Sequence, residues 1–419
     1  LSRSDTLAVP AAPRATAGRE RTRSGPERAA KRSLSIVFLT VFLDLVGFGI
    51  VIPLLPLYAE RFGAGPVAVT WLVAVYSLMQ FLFAPWWGSL SDRVGRRPVL
   101  LVGLFGSAAS YLLFGLAGSL AVLFAGRALA GIMGANVGVA QAYIADVTPP
   151  EERAKGMGLI GAAFGLGFIF GPAIGGGLSH FGHSVPFLGA AALAFLNGLL
   201  ALAFLPESHP AERRPAHAAG AGLRQRLRSL AGATANPRLR PLYAASLLAT
   251  LAIAAMEATL SLWADRRWGF SPAQVAYLFA YVGGVAVLVQ GGLVGRLARR
   301  LGERRLALVG AAALAAGLAA IPLAASPWTL GLALAAFAFG HGTLTPALSA
   351  LVSRAAPERE QGRLLGVSQS LSAAGRVLGP IAGGIAFARV GIGAPYLAGA
   401  GLALLALAAL TAGRAGADS

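Results

Sequence analysis

Cysteine is absent from all 419 residues, which excludes a small disulfide-stapled scaffold and leaves the redox compartment unread. Lysine is nearly absent too. Lys31 is followed by Arg32 and Lys155 by Gly156, so the GxxxxGK[ST] loop of a self-contained ATPase does not occur. No HExxH or GxSxG pattern is present, and His180 and His183 have only their spacing to suggest a metal. Charged side chains make up 12% of the chain where a soluble domain carries about a quarter. Glycine is abundant but lacks the third-residue period of collagen, and the high hydrophobicity excludes a disordered chain.

What is present is apolar. Some 56% of the residues are hydrophobic and the mean hydropathy is +0.68. That surplus exceeds what one or two water-soluble cores could hide, whereas twelve membrane spans of ~20 residues would consume about 240. Apolar runs predict spans over 34–58, 69–91, 98–116, 120–146, 156–179, 185–205, 241–264, 272–295, 305–325, 327–352, 364–387 and 392–412. The formal charge of +18 is distributed accordingly, with 29 of the 35 Lys and Arg in the N-terminal tail, in the loops after the even-numbered spans, or at the C-terminus. This asymmetry predicts cytoplasmic termini, and it accounts for the basic pI without a nucleic-acid partner.

The organisation expected is a disordered basic tail (1–33), a six-span bundle (34–205), a cytoplasmic linker (206–240), a second six-span bundle (241–412) and a short tail (413–419). The tail has no aromatic residue and its charged stretch is too long for a signal peptide, so span one reads as an uncleaved anchor. Within the linker, Leu223, Leu227 and Leu230 among arginines are equally compatible with a basic amphipathic helix and with a solvated connection. The halves repeat one another. Gly167, Gly171, Pro172, Gly175 and Gly176 spell GxxxGPxxGG, and Gly375, Gly379, Pro380, Gly383 and Gly384 spell it again 208 residues later. Gly88, Leu90, Gly95 and Arg97 likewise have counterparts 207 residues on at Gly295, Leu297, Gly302 and Arg304. Two parallel six-span repeats are an architecture of secondary transporters.

Small residues let helices approach closely and Pro172 removes a backbone donor, which suits helices that roll at an interface between halves. In GSLSDRVGRR, Gly88 and Gly95 are expected to permit a tight two-helix turn. Asp92 is expected to cap the start of span eleven near Gly362, and Arg93 or Arg96 to pair with Asp146 as a conformational switch. Ionisable groups inside the hydrocarbon are costly and therefore point to function. Asp44, Arg127, Glu257 and Arg376 qualify, and an Asp44–Arg127 pair, direct or through water, is feasible from their depths. Aromatic residues such as Phe38, Phe42, Phe48, Trp86, Trp87, Tyr111, Tyr143, Phe279 and Tyr281 offer wall material for flat or amphipathic ligands.

GSLSDRVGRRP at 88–98, FAGRALAGIMGA at 124–135 and GLGFIFGPAIGG at 165–176 resemble the loop, span-four and span-five motifs of the major facilitator superfamily. The stretch from Asp92 to Gly176 is especially similar to the twelve-span drug:proton antiporters of the tetracycline-efflux type. The resemblance implies an all-α fold of two six-helix bundles with a cavity lined by spans one, four, seven and ten, on which Asp44, Arg127, Glu257 and His341 lie in order. It further implies proton-coupled efflux, by alternating access, of hydrophobic or amphipathic molecules such as tetracycline-like antibiotics. Asp44, Arg127 and Glu257 would couple the proton, and Asp44, Glu257, His341 and Arg376 would face substrate. Two departures speak against a cationic metal–drug complex: span three carries Ser110 where those exporters carry a further acid, and the second-half counterpart of Asp92 is Arg299. The expected setting is a monomer in the bacterial inner membrane with no cofactor beyond the proton, no resident metal, no ATPase subunit and no catalytic residues. A transporter of a polar metabolite is the alternative, and an enzyme or receptor the remaining class.

Overall fold

The computed structural model describes residues 17–134, 136–149, 152–210, 212, 236–237, 239–355 and 360–412. Residues 1–16, most of the 206–240 linker with the helix considered at Leu223–Leu230, and the tail 413–419 lie outside them. Fourteen α-helices appear among the described residues. The first half has α1 (Ala17–Glu60), α2 (Pro66–Val94), α3 (Arg96–Gly115), α4 (Leu120–Met133), α5 (Asn136–Val147), α6 (Arg153–Ser179) and α7 (Val185–Phe204). The second has α8 (Arg240–Trp268), α9 (Pro272–Leu288), α10 (Val294–Leu301), α11 (Glu303–Ala320), α12 (Pro327–Ala355), α13 (Gln361–Arg389) and α14 (Ala394–Ala412). No strand occurs among the described residues. In a bilayer the helix is one of only two ways to satisfy every backbone group within the span, and this apolar sequence uses it throughout.

Eleven stretches are long and apolar enough to cross a membrane. Two of them join shorter helices, Leu120–Val147 combining α4 with α5 and Pro272–Leu301 combining α9 with α10. The twelfth span is α11, whose first turn carries Glu303, Arg304 and Arg305 and whose remainder is apolar. One expectation needs correction. Helix α1 begins at Ala17, inside the stretch anticipated to be a disordered tail, so the membrane-capable part Ser33–Glu60 continues a helix already formed. Arg, Glu, Lys and Ala are good helix formers, and a helix leaving the bilayer need not change its hydrogen bonding.

The two halves repeat in packing as well as in sequence. In the first, α1 packs on α6 and α7, and α3 on α4 and α7; in the second, α8 packs on α13 and α14, and α11 on α12 and α14. The turn between the second and third spans of each half is made by a glycine at positive φ, Gly95 at 106° and Gly302 at 77°. The arginine two residues beyond each reaches the last turn of the sixth span of its half: Arg97 Nη2 donates to the Leu202 carbonyl at 2.6 Å and Arg304 Nη2 to that of Leu410 at 2.8 Å. Gly88, by contrast, lies within α2 in open space and takes no part in the turn.

The halves meet along two seams, α6 against α9 and α2 against α13. Both GxxxGPxxGG copies sit on these seam helices. Three glycines of each copy pack on the first span of their own half, and only the last faces across. A Cβ at Gly171 would come within 2.6–2.8 Å of the Val46 carbonyl and the Gly49 backbone, and one at Gly379 within 2.7 Å of the Leu251 carbonyl. The fourth glycines, Gly176 and Gly384, abut Ala273, Ala276 and Tyr277 of α9 and Thr70 of α2 respectively. Large apolar side chains are left exposed along the spans, such as Leu196, Leu332 and Leu404, and give the bundle an apolar outer surface.

Candidate functional site

One cavity of about 1150 Å³ lies between the halves. Helices α1 to α6 supply its first-half wall, with Asp44, Phe48, Tyr76, Gln80, Tyr111, Arg127, Gln141 and Phe168; α8 and α13 supply the other, with Glu257, Gln369, Ser370 and Arg376. It reaches Gly88 near the end of α2 and Gly362 at the start of α13. Both lie toward the helix ends on the side of the 206–240 linker.

On the opposite, distal side the halves are joined. Ser261 Oγ on α8 donates to the Pro53 carbonyl on α1 at 2.9 Å, and Arg266 pairs with Glu60 at 2.9 Å. Contacts of Gly283 with Phe168 and of Gly384 with Thr70 continue the seal. Among the described residues the cavity thus reaches the linker side, and the halves are joined on the distal side.

Inside the cavity, Arg127 lies with its guanidinium carbon 4.5 Å from the centre of the Tyr76 ring. The residue is 3% exposed, and its Nε and Nη1 have no hydrogen-bond partner. Stacking on an aromatic face is a recognised way to hold a guanidinium away from water. Asp44 is half-buried on the same half, while Glu257 and Arg376 are exposed to the cavity on the other. Among the described residues no ion pair joins any of these four to another, so the direct form of the Asp44–Arg127 pair judged feasible from depth is not made. The aromatic ring of Tyr76 occupies the face where a carboxylate was expected.

The span containing Arg127 is irregular at Gly134, the turn residue that ends α4. Two carbonyls here are taken by side chains of α2: Trp87 Nε1 donates to Ile132 at 2.6 Å and Gln80 Nε2 to Gly134 at 2.9 Å. Backbone irregularity at membrane depth persists only where protein or a cavity satisfies the backbone. A second irregularity is the π-turn Val289–Leu293 joining α9 to α10, where Gly291 and Gly292 offer little side-chain packing to hold a regular helix.

Several expected site residues are placed elsewhere. His341 is packed by Phe337 at a ring distance of 6.2 Å and does not line the cavity. The reason is that α13, not the tenth span α12, forms that wall, and α12 instead packs on α11. Of the aromatic residues considered, Phe48 and Tyr111 face the cavity, Trp87 is buried against α4, and Trp86 is 53% exposed on the outside. Tyr76 and Gln80 were missed. Their signal was polar atoms four residues apart in an otherwise apolar span, which marks one helix face. His183 lies in a smaller distal hollow with Tyr58 and Arg61; burial and then the Arg61 charge hold its imidazole pKa below the usual value.

At the linker-side end of α2, Arg96 pairs with Asp92 at 2.5 Å and with Asp146 at 3.3 Å, and donates to Ser91 Oγ at 2.6 Å. Of the two arginines weighed for Asp146, Arg96 makes the pair. Among the described residues Asp92 is thus engaged within its own half, and no contact of its side chain with the start of α13 is made. The helix N-terminus that does receive a carboxylate is that of α3, where Glu207 accepts from the Arg96 and Arg97 backbone N–H groups at 2.8 and 3.3 Å. Glu207 was missed, since in the sequence it is one acid in the short stretch after the sixth span.

Comparison with known proteins agrees with this geometry. The class C tetracycline resistance protein of Escherichia coli is 36% identical over 390 residues, covering 92% of this chain and 98% of that protein. Multidrug resistance protein 2 of Bacillus subtilis is 30% identical, covering 85% and 89%. The crystal structure of the human organic anion transporter MFSD10 superposes with a TM-score of 0.69 at 29% identity, over 91% of this chain and 99% of that one. The family model for the Major Facilitator Superfamily matches residues 37–337 and 268–416. With that match, the paired six-helix halves and the cavity between them, this multi-pass membrane chain belongs to the Major Facilitator Superfamily.

Proposed function

We propose that the chain is a secondary active exporter that moves hydrophobic or amphipathic small molecules, tetracycline-like antibiotics among them, out of a bacterial cell in exchange for protons. The observation that carries this reading is the cavity: a drug-sized, largely apolar and aromatic space between two movable halves, holding a few isolated charges and open on one side only. The names of the tetracycline and multidrug resistance relatives support it. The charge asymmetry of the loops supports a linker side facing the cytoplasm, in the inner membrane, with both termini inside. The open mouth then faces the cell interior, where an exporter must load.

Asp44 is the leading candidate for the coupling proton, with Glu257 second and Arg127 as the group whose distance from Asp44 changes between states. A carboxyl that alternates between a dry site and the field of an arginine can bind a proton on one side and release it on the other. The protein works as a monomer, and the cavity needs nothing from a second copy. The test is purified protein in liposomes with an imposed pH gradient, challenged with a panel of dyes and antibiotics alongside a sugar and an organic acid. Gradient-driven movement of amphipathic dyes is the expected result; movement of the polar metabolites alone would replace this reading with a metabolite transporter.

A further inference from the structure

We propose that the cavity takes its substrate as an amphipathic zwitterion, its anionic group held between Arg127 of one half and Arg376 of the other, its cationic group facing Asp44 and Glu257. The inference deepens the export reading and rests on it. Each half contributes one acid and one base to the wall, Asp44 with Arg127 and Glu257 with Arg376. Among the described residues none of the four is ion-paired with another, so the wall presents two basic and two acidic side chains that do not cancel by contact. All four side chains line the one cavity, and Tyr76, under the Arg127 guanidinium, lines it with them, so the charged groups surround one space.

Arg127 gives the arrangement its direction. It is 3% exposed, lies over the Tyr76 ring, lines the cavity, and keeps Nε and Nη1 without partners. A buried guanidinium with unmet donors is costly, and an anionic oxygen is the ligand atom that relieves that cost most, through charge-assisted hydrogen bonds. A neutral amphiphile leaves those donors unmatched. A simple cation satisfies Asp44 and Glu257 but brings like charge to both arginines, and a simple anion meets the converse penalty. Discrimination is a difference of affinities, and repulsion of the wrong charge type contributes as much to it as attraction of the right one. The aromatic rings of Phe48, Tyr111 and Phe168 supply the apolar remainder of the wall. Because the arginines stand on opposite halves, an anionic group between them also gives substrate a means of drawing the halves together.

The test uses three fluorescent probes on one ring system: norfloxacin, which carries a carboxylate and an ammonium at neutral pH; its methyl ester, which keeps only the ammonium; and its N-acetyl derivative, which keeps only the carboxylate. Binding to the purified full-length protein is read by fluorescence anisotropy. Norfloxacin is expected to bind at least about tenfold more tightly than either derivative, equivalent to ~1.4 kcal/mol. Arg376→Gln is expected to erase its margin over the ester, and Glu257→Gln its margin over the acetyl derivative. Arg376→Lys, which keeps the charge but loses the planar fork, narrows the first margin without erasing it and serves where the glutamine variant does not fold. Equal or tighter binding of the ester, an unchanged margin in Arg376→Gln, or no binding of norfloxacin overturns the inference. Any of these results together with proton-driven export of ethidium from liposomes leaves the export reading standing, whereas failure of every dye to move removes that reading itself.

Discussion

Asp44 and Arg127 lie on the wall of one cavity and do not touch, and the ring of Tyr76 covers the guanidinium instead. In this arrangement the carboxyl is free to hold a proton while the arginine waits for another partner. Asp44→Asn is therefore expected to abolish proton-driven accumulation while leaving downhill exchange and substrate binding measurable. Liposomes with and without a pH gradient separate the two, and gradient-driven transport at the normal rate would remove Asp44 from the role. Arg127→Ala is expected to lose coupled transport even where substrate still binds. Normal transport against a gradient by that variant would mean that Arg127 only anchors its helix.

At the scale of elements, the glycines divide by what their missing side chains allow. Gly95 makes the α2–α3 turn at φ 106°, whereas Gly88 has open space around it. Gly95→Ala is expected to lower the thermal unfolding temperature, with a backbone cost of roughly 1–3 kcal/mol, while Gly88→Ala stays close to wild type. Equal melting of the two would contradict the turn geometry. On the seams, a side chain at Gly384 would collide with Thr70 of α2 and one at Gly171 with the backbone of α1. Gly384→Val is therefore expected to hold the distal ends of α2 and α13 apart and expose a cysteine placed at Ser261 to a distal reagent. Gly171→Val, whose contacts lie within one half, should instead destabilise that half by about 1–3 kcal/mol, as overpacking does, without opening the distal side.

For the whole molecule, the closed distal side and open linker side are two expressions of one rigid-body arrangement. The Glu60–Arg266 pair is partly exposed, and a pair of that kind contributes only about 0.2–1 kcal/mol. That is enough to bias two states without locking either. Glu60→Gln should raise distal accessibility a few-fold at most, and the double exchange Glu60→Arg with Arg266→Glu should restore it. A single-residue effect that the exchange does not repair would assign the seal to Ser261 and the glycine seam alone. Orientation in the membrane is testable as directly, because the chain has no cysteine of its own. A cysteine at Ser229 should escape an impermeant reagent applied outside intact cells, and labelling there would invert the proposed topology.

Hydropathy alone determined how many spans the chain has and where they fall, because burial in lipid is a property of each ~20-residue stretch taken singly. It was legible for the same reason that Asp44, Arg127, Glu257 and Arg376 stand out, since an ionisable group in an apolar run is costly wherever the run packs. The duplicated GxxxGPxxGG and Gly95/Gly302 turns likewise revealed the repeat. Which helices face each other was not legible, because it depends on the rotation of each span about its axis and on the tilt of one half against the other. Only the tertiary structure therefore put α13 rather than α12 on the cavity wall, laid Tyr76 on Arg127 and set Glu207 at the start of α3. Those contacts join residues as far apart as 111 positions in the chain, and no local pattern specifies them because the free energy that selects them belongs to both partners at once.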